Sequence, residues 1–358
     1  MSGSQSHHLL RERRRLAAFR VLVSIIAIST AALSSTAAAQ TTRGLWQLAV
    51  EPEQDRVQLN FQDYSRRGGM SGFGVLASHL TGITRSQLTS AEGPVRFQLV
   101  RDAGTFNFEG QIYRGRGNGS FSFVGNPRFG GELARRGYAR PTAEQQFQLA
   151  LHDVGYSLLD ELRNHGYERP SVDDLVIMGM HGVSFDYVRA LASLGYRVGS
   201  TDRLVQLRDH GVTPAFITGL ASAGYSKLSA DRLVKLRDHG VTPRFITALS
   251  AMGYRGLSAD DLLRLQDHGV SPDYVAGLAS AGYKGLSTDQ LLTARDHGVT
   301  PEFAQEFRRL GYSRLSLKQL VQLRDQGMTV AFAERVRERE GDVSVEELIH
   351  RRVRGDRY

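Results

Sequence analysis

Residues 228–256 read LSADRLVKLRDHGVTPRFITALSAMGYRG, and residues 199–227 read GSTDRLVQLRDHGVTPAFITGLASAGYSK. The two stretches agree at 19 of 29 positions, so the chain repeats itself. His-Gly recurs with a step of 29 at 181, 210, 239, 268 and 297. Gly-Tyr keeps the same step at 166, 195, 224, 253, 282 and 311. These positions mark six units, 170–198, 199–227, 228–256, 257–285, 286–314 and 315–342. A divergent unit at 141–169 precedes them, with His152 in the histidine position, and a half unit at 343–355 follows. Residues 141–355 are thus seven units and a C-terminal half unit.

Each unit spells two short helices. In 228–256, Ser229 is a natural N-cap and Asp231 lies in the first turn, where the helix dipole favours an anion. Leu233, Val234 and Leu236 make the apolar stripe, and Gly240 stops the helix after His239. Thr242 caps the second helix with Pro243 at its first position, Phe245, Ile246 and Leu249 form its apolar face, and Gly253 ends it. Helices this short rarely persist alone, since about 12–15 residues are needed in water. They must bury their stripes against neighbouring units, which is the logic of an all-α solenoid.

The repeated polar residues invite chemical readings. Equivalent histidines in stacked units lie about 8–10 Å apart, one helix spacing, too far to share one metal ion. A histidine at a helix C-terminus, favourable to the dipole, accounts for the column. Neighbours such as Asp209-His210 do not face each other on a helix, so they are no catalytic dyad. No Gly-x-Ser-x-Gly elbow and no His-Glu-x-x-His occurs. The Arg-Asp column, at 208–209, 237–238, 295–296 and 324–325, reads as an alternating-charge ladder between units. The Tyr196, Tyr225, Tyr254, Tyr283 and Tyr312 column reads as packing between units with the hydroxyl in water. No catalytic, cofactor-binding or metal-binding residue is assigned. The framework is constant while Ala215, Arg244, Asp273 and Glu302 vary directly after the helix-starting proline. They are the candidate partner-contact column.

Upstream, the period changes to two. Leu45–Val50, Val57–Phe61, Val95–Leu99, Thr105–Phe108 and Ser120–Val124 alternate apolar and polar residues. Gly104, Gly110, Gly115, Gly117 and Gly119 read as turn and bulge positions. The stretch predicts five to seven antiparallel strands in a small sandwich or open barrel over residues 40–135, with a short helix within Leu76–Leu88 capped by Thr84 or Ser86. Gly115-Arg116-Gly117-Asn118-Gly119 precedes a Phe-rich strand, not a helix, and so reads as a hairpin and not a phosphate loop. Trp46, the only tryptophan, sits in an alternating strand and is assigned to the core. Arg66-Arg67-Gly68-Gly69 reads as an exposed basic turn. The fold class expected is α+β multidomain, a small antiparallel β unit followed by a helical-repeat solenoid.

Residues 1–39 read as an address. Arg11, Arg13, Arg14, Arg15 and Arg20 precede an apolar run from Val21 to Leu33, and Ala37, Ala38 and Ala39 offer small residues before Gln40. This is the pattern of a signal peptide cleaved between Ala39 and Gln40. The same run is near the ~20 residues that span a bilayer, so a single-pass anchor is the alternative, and the membrane is a partner only through an uncleaved segment. Removing five arginines and one glutamate takes the net charge from +8 to +4, which argues against nucleic acid. The chain has no cysteine, which excludes a disulfide framework, a thiolate zinc site, an iron–sulfur cluster and a cysteine nucleophile.

The run Arg101-Asp102-Ala103-Gly104-Thr105-Phe106-Asn107-Phe108-Glu109-Gly110, followed by the His-Gly-Val-Thr-Pro units, resembles a group of bacterial envelope proteins with 29-residue helical repeats. Such repeats also occur C-terminal to the membrane metallopeptidase domain of BlaR1-type antirepressors. The resemblance covers most of residues 95–355. This chain has neither the zinc motif nor the multiple spans of the peptidases, so no catalytic residue is carried over. What the resemblance implies is a bacterial, envelope-facing protein tied to sensing or regulation. The expectation is therefore an exported, periplasmic or secreted, non-catalytic protein whose array binds a protein partner. The alternatives are a β unit that binds a glycan with the repeats as spacer, and a hydrolase with a site in the β unit.

Overall fold

Alternation of period two forms strands wherever the upstream sequence carries it. The computed structural model describes residues 42–51, 55–64, 70–90 and 92–355; the candidate signal peptide, its cleavage position at Ala39 and Gln40, and the Arg66–Gly69 turn lie outside them. Seven strands, β1 Thr42–Glu51, β2 Arg56–Asp63, β3 Met70–Leu76, β4 Leu80–Thr81, β5 Glu92–Arg101, β6 Gly104–Tyr113 and β7 Arg116–Gly125, form one antiparallel sheet in the order β3-β2-β1-β7-β6-β5-β4. The sandwich alternative therefore falls, and the unit is a single sheet curled into an open half-barrel. A short helix α1, Arg85–Ser90, follows Thr84, whose hydroxyl accepts from the Gln87 amide at 3.2 Å, so Thr84 and not Ser86 is its cap.

The inner face of the sheet is aromatic. Trp46, Phe97, Phe106, Phe108, Phe121 and Phe123 are buried there, with Trp46 edge-on to Phe97 at 5.3 Å and Phe97 stacked on Phe108 at 4.6 Å. Only Gly115 of the 115–119 run lies in the turn; Gly117 and Gly119 sit inside β7. The reason is close approach. A Cβ on Gly119 would stand 2.0 Å from the Glu109 carbonyl, and one on Gly117 would stand 3.0 Å from the Trp46 ring. The indole lies over this glycine floor and donates its Nε1–H to the Glu109 carbonyl at 3.2 Å.

Beyond the sheet the chain is helical. Helix α2 is Phe129–Arg135, and the paired helices run α3 Ala143–Leu151 and α4 Tyr156–Asn164, α5 Val172–Met180 and α6 Phe185–Ser193, α7 Thr201–Asp209 and α8 Pro214–Ser222, α9 Ala230–Asp238 and α10 Pro243–Ala251. They continue as α11 Ala259–Asp267 and α12 Pro272–Ser280, α13 Thr288–Asp296 and α14 Pro301–Arg309, α15 Leu317–Asp325 and α16 Val330–Glu340, and a last half unit α17 Val345–Arg354. Local chemistry sets most of the boundaries. The Ser229 hydroxyl accepts from the Arg232 amide at 3.2 Å and Thr242 from the Phe245 amide at 3.1 Å. Gly240, at φ +74°, ends α9 while the Val241 amide donates to the Leu236 carbonyl at 2.9 Å, a Schellman stop. First helices pack on first helices of the next unit and second on second, burying Leu233, Leu236, Ile246 and Leu249.

Helix α2 belongs to the array and not to the β unit, whose expected limit was residue 135. Phe129, Leu133, Gly137 and Tyr138 stand 29 residues before Leu158, Leu162, Gly166 and Tyr167. Gly137 has φ +82°, and the Tyr138 amide donates to the Leu133 carbonyl at 3.0 Å, the stop that later units use. The array thus opens, as it closes, on a half unit.

Sheet and array share one continuous core. Phe147 of α3 enters the open side of the half-barrel, with ring centroids 5.8 Å from Phe106, 5.3 Å from Phe123 and 6.5 Å from Phe121. Polar bonds complete the junction. The Gln146 side chain donates to the Ala103 and Asn126 carbonyls at 2.7 and 2.8 Å. The Asp102 carboxylate, in the β5–β6 turn, accepts from the Tyr156 amide at 2.8 Å and so caps α4, whose own N-cap, Gly155, has no side chain to offer. Arg101 is paired with Asp153 at 2.5 Å. The run that carries the family resemblance is therefore where the sheet meets the array.

Candidate interaction surface

The repeat places the same side chains at the same height in every unit, so any contact between adjacent units becomes a ladder. Each column histidine is the C-cap residue of a first helix. Its Nδ1 lies 2.5–2.6 Å from the carboxylate at the end of the next unit's first helix, in the pairs His181–Asp209, His210–Asp238, His239–Asp267, His268–Asp296 and His297–Asp325. The histidine's aspartate is thus not its sequence neighbour but the residue 28 positions on. The rungs end where the residue types change. His152 meets Met180 at the aspartate position, and Gln326 and Arg354 hold the two positions at the far end. His152, without a rung, is half-buried, and that burial pulls its imidazole below the ordinary range.

A second set of pairs links the same helices, two at their starts and one from a last turn. Arg203 pairs with Asp231 at 2.5 Å, Arg232 with Asp260, and Arg264 with Asp289 at 2.9 Å. The expected Arg-Asp ladder is corrected by these contacts. In the 208–209 type of pair, the aspartate takes the preceding unit's histidine and the arginine stacks on an aromatic ring. Arg208, Arg237, Arg295 and Arg324 lie 4.9–5.3 Å over Tyr187, Phe216, Tyr274 and Phe303 of the preceding unit. Arg208 also donates to the Gly182 carbonyl at 3.0 Å.

The tyrosine column is corrected at Tyr225, Tyr254 and Tyr283, and at Tyr312, whose hydroxyl is buried without a partner among the described residues. The Tyr225, Tyr254 and Tyr283 hydroxyls do not sit free in water. They donate to the Leu257, Leu286 and Leu315 carbonyls, each 32 residues on, at 2.7–2.9 Å. Two further tyrosines, in second helices, are buried. Tyr187 donates to the Val212 carbonyl and Tyr274 to the Val299 carbonyl, both at 2.8 Å. Burial pushes both phenols up to about 12, against the opposite pull of Arg208 and Arg295. A folded value above the unfolded one, about 10, means that their contribution to stability is complete below pH 10 and lost as the pH rises toward 12. In an alkaline spectrophotometric titration, two phenolates should form only near pH 12, with the melting temperature falling over the same interval. Complete ionisation by pH 11 with the helices intact would contradict this.

Against these consumed groups stands the outer side of the second helices. Ala215, Arg244, Asp273 and Glu302 are all exposed, each one residue into its helix after the proline. Arg244, Asp273 and Glu302 make no hydrogen bond or ion pair with any described residue. Their order, neutral, cationic, anionic, anionic, gives each unit a distinct surface. Among the described residues no group of three or more histidines and carboxylates is placed to hold a metal ion, and no ladder imidazole is hydrogen-bonded to a serine or threonine hydroxyl. No helix of the described residues is long and apolar enough to cross a membrane. The signal that would have found the ladders is the spacing between His and the second Asp, 28 rather than one. Neither a family-model scan nor a search of curated proteins finds a match to the chain.

Proposed function

We propose that this chain is an exported, non-catalytic bacterial protein whose solenoid presents the outer side of its second helices to a protein partner, in envelope sensing or regulation. The observation that carries this reading is an asymmetry between two faces of the array. On the first-helix side, five His–Asp rungs and three Arg–Asp pairs tie exposed charges to one another between units, leaving Asp202, Lys235 and Lys318 outside the ladders. On the second-helix side, Arg244, Asp273 and Glu302 are free to pair with another molecule. Framework and recognition are thus divided between the two helices of a unit, as in repeat proteins that bind through one surface. The resemblance to envelope proteins with similar repeats and the arginine-led apolar N-terminus favour the envelope as the place of action.

The test is capture by crosslinking from envelope extract, with the intact chain as bait and R244E/E302K as the matched variant. A protein captured by the wild type and lost with the variant, at an unchanged melting temperature, supports the reading. Equal capture by both removes the column from the interface. Because these side chains are exposed and make no hydrogen bond or ion pair with any described residue, the double exchange should alter stability by less than ~0.5 kcal/mol.

A further inference from the structure

The half-barrel has a second face that the array does not cover. Alternation sends the aromatic side chains inward and the other set outward. On β1, β7 and β6 the outward set includes Gln47, Asn118 and Gln111, which the register places side by side: Gln47 opposite Asn118, and Asn118 opposite Gln111. All three are exposed and none of their side chains has a hydrogen-bond partner among the described residues. With strands about 4.8 Å apart, the row spans about 10 Å, roughly the length of two sugar rings. Tyr113 stands two residues from Gln111 on the same face, 58% exposed.

Two arginines flanking the row are already paired, while Arg43, four residues before Gln47 on the same face of β1, is not paired with any described residue. Arg96 is bound to Glu109 at 3.3 Å and Arg114 to Glu92 at 3.0 Å. What remains open is three primary amides, each offering two donors and an acceptor, beside the Tyr113 ring, over which the Arg114 guanidinium lies at 5.2 Å, leaving the opposite ring face for a ligand. Hydroxyl groups are donors and acceptors at once, and the C–H face of a sugar ring packs on an aromatic face. We propose that the outer face of the curled sheet binds a neutral glycan, with Gln47, Asn118 and Gln111 hydrogen-bonding its hydroxyls and Tyr113 stacking against a ring. A polyanion would find no unpaired cation directly beside these amides, since Arg43 stands four residues from the nearest of them, and an apolar segment would bury three amides without partners, at about 1–3 kcal/mol each.

The test is isothermal titration of the intact chain with hexasaccharides of glucose and of N-acetylglucosamine, and with polygalacturonate as the anionic control. The expected result is binding of at least one neutral hexasaccharide, weakened at least about tenfold in Q47A/N118A and in Tyr113→Ala. Both variants should keep the Trp46 emission and the melting temperature, because all three side chains are exposed. No binding of either neutral sugar, binding of polygalacturonate alone, or unaltered affinity in both variants overturns the proposal. The protein-partner reading rests on other residues, and R244E/E302K should leave sugar affinity unchanged, so failure of one is distinguishable from failure of the other.

Discussion

Phe147→Ala should unfold the sheet and the array together at a much lower denaturant concentration. Phe147 is 3% exposed and its ring meets Phe106, Phe121 and Phe123, so truncation leaves a cavity between α3 and the inner face of the half-barrel. Losses for a buried phenylalanine are about 3–5 kcal/mol, a large part of a total that is about 5–15 kcal/mol for a folded domain. Two signals separate the parts. Trp46, the only tryptophan, reports on the sheet, and far-ultraviolet dichroism reports on the helices. In urea, both transitions of the variant should move down together. A tryptophan transition left in place while the helical one falls would show that the half-barrel stands without α3. The same packing explains why a fragment ending at residue 135 is a poor test of the β unit: it would leave Phe106, Phe121 and Phe123 facing water.

Asp153→Asn should be the most damaging change of a single polar group. Arg101 is 12% exposed at its side chain, and Asp153 is its ion-pair partner. Burial already pulls the guanidinium below its ordinary range, with Asp153 opposing that pull. The carboxyl in turn is pushed up by partial burial and drawn down by Arg101. Removing the carboxylate strands a buried cation whose Nε has no partner of its own. The loss should be about 2 kcal/mol, within the range for a hydrogen bond to a charged group. Asparagine is the fitting replacement because residue 153 has φ +57°, a conformation that asparagine tolerates. The double variant R101M/D153N should regain at least half of the loss, since it removes the cation that the single change strands. Urea unfolding of both variants decides it, and a double variant no more stable than Asp153→Asn would show that the damage is not a stranded charge.

The ladders are expected to matter less one rung at a time. Each His–Asp pair is about 38–46% exposed, and exposed pairs contribute about 0–1 kcal/mol. Their role is register. Five rungs of the same length hold successive first helices at one rotation and one rise, while the apolar stripes supply the driving force.

The sequence by itself determined the local features. Helix starts and stops in the array were legible because capping is decided within four residues: Ser229 and Thr242 serve their own helices, and Gly240 and Gly253 release the chain at positive φ. The strands were legible from their period, and the exposure of Ala215, Arg244, Asp273 and Glu302 from their place in the turn after proline. The opening half unit was written in Gly137-Tyr138 too, but the helix before it is only seven residues and carries Gly130 and Gly131 in its first turn, which mask its pattern. Tertiary structure alone decided the rest. Which aspartate a histidine meets depends on the rise and rotation between units, and no local rule selects the residue 28 positions away over its neighbour. Whether the strands close into two layers or curl as one depends on what fills the open side, and here that is Phe147, a residue of the helical array. The Tyr225, Tyr254 and Tyr283 hydroxyls found carbonyls for the same reason: stacking brings backbone 32 residues on within 3 Å of a group that its own unit leaves unpaired.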